Sequence, residues 1–88
     1  VNTARGGIVD EAELDAMLGE GALAGAAMDV LAVEPGPIDH PLFKHSNFYC
    51  TPHMAWHSEE SALELKRKAA EEVRRVLRGE PPQYQVNK

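Results

Sequence analysis

Between Leu23 and Val30 the chain reads Leu-Ala-Gly-Ala-Ala-Met-Asp-Val, a continuous, mostly apolar stretch too short for a long helix. A run of this kind, made of small residues, is expected as a strand buried on both faces with helices packed close against it. Its alanines have weak intrinsic strand preference, so the expectation rests on apolarity and length. A strand covered on both sides belongs inside a parallel sheet, and that requirement constrains the segments around it.

Those segments fit. Val1-Asn2 reads as the last step of a strand, and Thr3–Gly7 as a loop that flexes at Gly6-Gly7. Asp10 is a good helix N-cap with Glu13 three residues on, in a capping-box pattern. Leu14, Met17 and Leu18 give that helix its apolar face, and Gly19 and Gly21 end it, Gly21 being the better C′ residue. Residues 31–46 hold three prolines and must be a loop, with a short helical turn at 40–44. Asn47-Phe48-Tyr49-Cys50-Thr51 reads as a strand stopped by Pro52. Ser58 then caps a long helix. In it Ala62, Leu65, Ala69, Val73, Val76 and Leu77 recur at helical spacing, with acidic residues at its start and arginines at its end. Gly79 and Pro81-Pro82 end it, and a tail follows. Strands alternating with helices predict an α/β fold with a parallel sheet. No linker divides the chain.

Composition narrows the function classes. The net charge is −5, and the basic residues concentrate on one helix as a solvated face, so nucleic acid is not an expected partner. The longest apolar stretch is interrupted by Gly25 and Asp29, which excludes a membrane span there. Cys50 is the single cysteine, expected as a buried small hydrophobe in a reducing compartment. With no second cysteine, Cys50, His53 and His57 do not suggest a structural zinc site, and no metal is expected. His40, His45 and His57 are expected at the surface or in loops. The chain reads as entered in mid-strand, hence as part of something longer.

In open parallel sheets, ligands bind beyond the carboxyl ends of the strands. Arg5 follows the first strand, Asp29 and Glu34 lie at or after the second, and His53 follows the third. Arginine grips a carboxylate through two parallel hydrogen bonds, and histidine exchanges a proton near neutral pH. A carboxylate beside the histidine fixes its tautomer and favours its charged form.

The run Asn2-Thr3-Ala4-Arg5-Gly6-Gly7-Ile8-Val9-Asp10-Glu11, then Leu14, Gly25–Val30, Glu34-Pro35, Pro41-Leu42 and Thr51-Pro52-His53, resembles the D-isomer-specific 2-hydroxyacid dehydrogenases. The stretches 53–60 and 69–75 are most similar to the branch of the C-terminal binding proteins. The resemblance implies the C-terminal part of a Rossmann-type parallel-sheet dinucleotide-binding domain ending in a long helix, over residues 1–78. The tail at 79–88 would then return to a substrate-binding domain. It implies that Arg5, Glu34 and His53 are catalytic, with Arg5 on the substrate carboxylate, His53 as acid/base and Glu34 as its partner. It places Thr3, Ala4, Arg5, Asp29, His53, Met54, Ala55 and Trp56 along the cofactor, Asp29 taking the nicotinamide carboxamide. Arg5, His53 and Trp56 would face the substrate, although Trp56 could equally be packing. The implied cofactor is NAD, with NADP open, and its glycine-rich phosphate loop is expected upstream. The implied partner is a small 2-hydroxy or 2-keto acid, in a cytoplasmic homodimer. A nucleotide-sensing protein-binding scaffold, or corepressor, is the alternative function.

Overall fold

The structure is a computed structural model and describes residues 1–87. Its elements run in the order α1 (Glu11–Gly19), β1 (Ala26–Met28), β2 (Phe48–Cys50) and α2 (Glu59–Leu77), with 3-10 turns at Gly6–Ile8 and Pro41–Lys44. Although the sequence carries no linker signal, Val1–Ala55 and Trp56–Lys88 form two compact units.

The first unit is built around a parallel ladder. β1 pairs with β2 in parallel, Ala26 opposite Phe48 and Met28 opposite Cys50. On the other side of β1, Asn2 forms a parallel bridge with Met28, so the expected strand end at Asn2 is real. The three stretches therefore point the same way, with β1 in the middle. β1 is much shorter than the expected 23–30 strand. The N–H groups of Ala22 and Leu23 turn back to the Met17 carbonyl and close α1, while Asp29 gives its side chain to the following loop. Nor is the sheet buried on both faces. Met28 and Phe48 lie in the core, Ala26 and Ala27 are half-buried, and Tyr49 is 70% exposed.

α1 starts where expected. The Asp10 carboxylate accepts from the N–H groups of Ala12 and Glu13, so Glu13 serves the cap through its backbone. The helix ends at Gly21, whose φ of 73° is the left-handed C′ geometry that glycine adopts without a Cβ penalty. Leu14 and Leu18 pack with Met28, Leu31, Leu42 and Phe48 into the core, while Met17 stays at the surface. The 3-10 turn at Pro41–Lys44 matches the expected short turn, with Leu42 fully buried beneath it.

In the second unit Ser58 caps α2 through a capping box. Its hydroxyl accepts from the Ser61 N–H, and the Ser61 hydroxyl accepts from the Ser58 N–H. The Ser61 hydroxyl also donates to the Trp56 carbonyl. The apolar stripe of α2 is present but open: Leu65, Val73, Val76 and Leu77 are all more than half exposed. The helix ends at Gly79, with φ 76°. Beyond it, the Gln83 N–H donates to Glu72 and the Lys68 ammonium lies 5.9 Å from the centre of the Tyr84 ring. Arg75 sits within 3.5 Å of Glu72 and Glu80, as suits a solvated charged face. Lys88, the end of the expected tail, lies outside the described residues. No helix among the described residues is long and apolar enough to cross a membrane.

The paired glycines of the first loop are not equivalent. A Cβ on Gly6 would lie 2.1 Å from the carbonyl carbon and oxygen of Leu31, whereas one on Gly7 meets nothing within 4 Å. Gly6→Ala is expected to destabilise by at least about 1–3 kcal/mol, the usual cost of overpacking, because backbone cannot yield as a side chain can. Gly7→Ala should fall within about 0.5 kcal/mol of wild type. Urea unfolding of both variants checks this, and equal midpoints would contradict the close approach at Gly6.

Candidate active site

The carboxyl ends of the three parallel stretches meet at Asp29. Its N–H donates to the Asn2 carbonyl at 2.9 Å, and its carbonyl accepts from the His53 N–H at 2.9 Å. Its buried carboxylate accepts from the Thr51 hydroxyl, the Met54 N–H at 2.9 Å and the Ala55 N–H at 2.8 Å. Donation by Thr51, then by the two backbone N–H groups, holds the carboxyl below its ordinary pKa and outweighs the opposing effect of burial. Asp29 is thus an ionised anchor for the turn that carries His53.

His53 itself has φ 52°, a left-handed conformation uncommon for residues other than glycine, though histidine, asparagine and aspartate adopt it more readily than most. Its N–H is shared between the carbonyls of Asp29 and Thr51, which hold it there. The geometry turns the ring toward Glu34: Nδ1 lies 2.6 Å from Glu34 Oε2. The other Glu34 oxygen accepts from the Leu31 N–H at 2.9 Å. Hydrogen bonding from His53, then from Leu31, holds the Glu34 carboxyl below its ordinary pKa. An ionised Glu34 is an acceptor only, so Nδ1 carries the hydrogen and the tautomer follows.

The pair borders a cavity of about 690 Å³ whose polar wall includes Asp29, Glu34, Thr51 and His53 and whose apolar wall includes Phe43 and Phe48. Those two rings stack at 6.2 Å between centres. Cys50 also faces this cavity. It is exposed, not buried as expected, because it sits at the carboxyl end of an edge strand that leaves one side open. Partial withdrawal of the sulfur from water, then the nearby Asp29 carboxylate, pushes the thiol pKa up, which disfavours the thiolate.

The sequence-derived residues fall into three groups. Asp29, Glu34, His53 and the backbone of Met54 and Ala55 come together. Thr3, Ala4 and Arg5 form the loop after the first strand end. There Asn2 donates to the Arg5 carbonyl and accepts from the Ala4 N–H, and the exposed Arg5 guanidinium donates to the Ala4 carbonyl at 2.6 Å. That loop is tied to the Glu34 segment through Gly6, which lies against the Leu31–Ala32 peptide. Trp56 belongs to the second unit, half exposed, its ring 5.2 Å from that of His57.

The model of the D-isomer specific 2-hydroxyacid dehydrogenase NAD binding domain matches residues 1–55. The chain belongs to this family. The whole chain is 44% identical to a glyoxylate reductase of Thermofilum pendens, of which it covers 26%. It is 41% identical over 99% of its length to the D-3-phosphoglycerate dehydrogenase of Bacillus subtilis, covering 16% of that protein. A solved structure of a probable 2-hydroxyacid dehydrogenase from Rhizobium etli, in complex with NADP, HEPES and tartaric acid, matches 98% of the chain at 40% identity with a TM-score of 0.75. The chain covers 26% of that structure. The chain thus spans between 16% and 26% of these relatives. The Rossmann-type parallel ladder and the long final helix agree with the expected fold.

The pairing of Glu11 with His40 near the site was not legible in the sequence. Glu11 and His40 form a pair at 3.3 Å with side chains only 18% and 13% exposed, and Glu11 also accepts from the Ala32 N–H at 2.6 Å. His45 likewise pairs with Asp15 at 2.7 Å, its side chain 11% exposed. His40 and His45 are therefore covered loop residues, not surface ones. The available signal was the i, i+4 placement of two acidic residues on α1.

Glu34 and Asp29 lend the fold an acid-sensitive component. A carboxyl whose folded pKa is depressed contributes stability that is complete above its unfolded value, about 4.3 for Glu and 3.9 for Asp, and that fades as pH falls through the folded value. Glu34→Gln should therefore flatten the stability profile below about pH 4.3 while leaving its shape above that unchanged. Urea unfolding of both proteins across this range checks it. Parallel profiles down to the acid limit would show that Glu34 titrates normally.

Proposed function

We propose that the protein carrying this chain is a nicotinamide-dependent oxidoreductase that interconverts a 2-keto acid and a D-2-hydroxy acid. The observation that carries the reading is the 2.6 Å contact between His53 and Glu34, at the rim where three parallel strand ends meet. An acid/base histidine needs a fixed tautomer, and an ionised Glu34 on Nδ1 supplies it. The family and its named relatives support the same chemistry.

The donor set fits the nicotinamide end of a dinucleotide. Asp29 uses three of the roughly four lone-pair directions of a carboxylate, leaving one to accept from a carboxamide NH2. Thr3 and Ala4 on one side, and Met54 and Ala55 on the other, would flank the ring. The cofactor, NAD or NADP, supplies the hydride when bound. Arg5 grips the substrate carboxylate with its planar fork and so orients the keto carbon. His53 delivers a proton from Nε2 to the carbonyl oxygen during reduction and takes it back during oxidation. Glu34 meanwhile offsets the charge on the ring. The division at residue 78, the homodimer and a cytoplasmic location belong to the same proposal and rest on the family resemblance.

Nicotinamide oxidation by the purified protein with glyoxylate, hydroxypyruvate and larger 2-keto acids is the test. Turnover is expected. His53→Gln should lower kcat by about 10²–10⁴-fold, the range for loss of a general acid. Arg5→Lys should raise KM, since an ammonium lacks the fork. Wild-type turnover in His53→Gln would overturn the assignment. Tight NADH binding without turnover on any 2-keto acid would favour the scaffold function.

A further inference from the structure

The segment that presents Glu34 is held from outside as well as from within. Within it, the Leu31 N–H donates to Glu34 Oε1 at 2.9 Å. The very next N–H, that of Ala32, donates to Glu11 Oε1 at 2.6 Å. Two successive backbone donors thus take two different carboxylates, one from the candidate site and one from the first residue of α1. Glu11 is not free to wander, because its second oxygen lies 3.3 Å from His40 Nε2. His40 Nδ1 accepts from the Leu42 N–H, so Nε2 carries a hydrogen and donates to Glu11. Leu31 is buried, and Gly6 lies so close to the Leu31–Ala32 peptide that a Cβ there would be 2.1 Å away. The peptide is therefore approached closely by Gly6 and hydrogen-bonded by Glu11.

We propose that Glu11, anchored by His40, is a positioning residue for Glu34: it fixes the Leu31–Ala32 peptide, next to the Leu31 N–H that holds the Glu34 carboxylate. This rests on the role proposed above for the Glu34–His53 pair. Glu11 touches neither member of that pair. It acts through one peptide, and the Glu34 carboxylate follows because its Oε1 is bonded to that same peptide's neighbour N–H. Loss of Glu11 frees the peptide to shift and lengthens the Glu34–His53 contact. Glutamine at position 11 keeps an oxygen for Ala32, whereas alanine does not.

The test is steady-state 2-keto acid reduction by the full protein carrying Glu11→Ala, Glu11→Gln, Glu34→Gln, or Glu11→Ala with Glu34→Gln. Glu11→Ala should lower kcat by about tenfold to a hundredfold, the cost of a misplacement of about 1 Å, with KM little changed. Glu11→Gln should recover part of that loss, because it keeps the acceptor for Ala32 but turns an NH2 toward the His40 Nε2–H and loses the anchor. In the Glu34→Gln background Glu11→Ala should cost nothing further, because residues that act through one contact are not additive. A loss that multiplies in that background shows a purely structural role and overturns the proposal, as does wild-type kcat in Glu11→Ala. If Glu11→Ala does not fold, His40→Leu withdraws the anchor instead. A smaller kcat loss that vanishes with Glu34→Gln then supports the proposal, and wild-type kcat overturns it. If the wild type reduces no 2-keto acid, the dehydrogenase reading fails by itself. Carboxyl NMR titration then judges Glu11 alone: a Glu34 carboxyl that moves back toward its ordinary pKa in Glu11→Ala supports positioning, and an unmoved one overturns it.

Discussion

A carboxylate taken out of water must find donors, and the buried Asp29 finds three within one turn of chain. Because these donors come from Thr51, Met54 and Ala55, satisfying the charge also decides the path of the segment that contains His53. The main chain of Asp29 does the same for the neighbouring stretches, giving its N–H to Asn2 and its carbonyl to His53. One residue at the end of the central strand thus joins all three strand ends. An apolar substitution there would leave the Met54 and Ala55 N–H groups seeking other partners.

The ladder that places Asp29 is short, and side-chain packing compensates for its length. Three residue pairs join β1 to β2, and a single bridge adds Asn2. The core beneath is also small: Leu14 and Leu18 from α1, Met28 and Phe48 from the sheet, and Leu31 and Leu42 from the long connection. Leu31 takes part in both the core and the candidate site, since its side chain is buried while its N–H serves Glu34. Core packing and site geometry are therefore coupled through that residue. His40 and His45, bonded to Glu11 and Asp15, fasten the rest of the connection to α1, so a loop with three prolines is held with only a short 3-10 turn at Pro41–Lys44.

Local chemistry made much of this legible in the sequence. The caps at Asp10 and Ser58, the left-handed glycines at 21 and 79 and the proline-led turn at residue 41 each depend on residues a few positions apart. Strand lengths were overestimated for the opposite reason. The apolar run at 23–30 reads as one element, but its first residues close a helix and its last ones serve Asp29. The Cys50 side chain was misjudged because apolar neighbours in sequence do not reveal that a strand lies at an open edge.

What the sequence by itself determined is which chemical groups stand after which strand: Arg5 after the first, Asp29 and Glu34 after the second, His53 after the third. Parallel pairing then puts them on one rim, a conclusion that needs only the order of elements. Which groups touch was decided by tertiary structure alone. Glu34 and His53 are 19 residues apart, Glu11 and Ala32 are 21 apart, and Asp29 and Ala55 are 26 apart. No propensity or period reaches across such separations. Contacts of that range form only when burial of Leu31, Leu42 and their neighbours holds the connecting segments in place, and the directional bonds then select among the arrangements that packing permits.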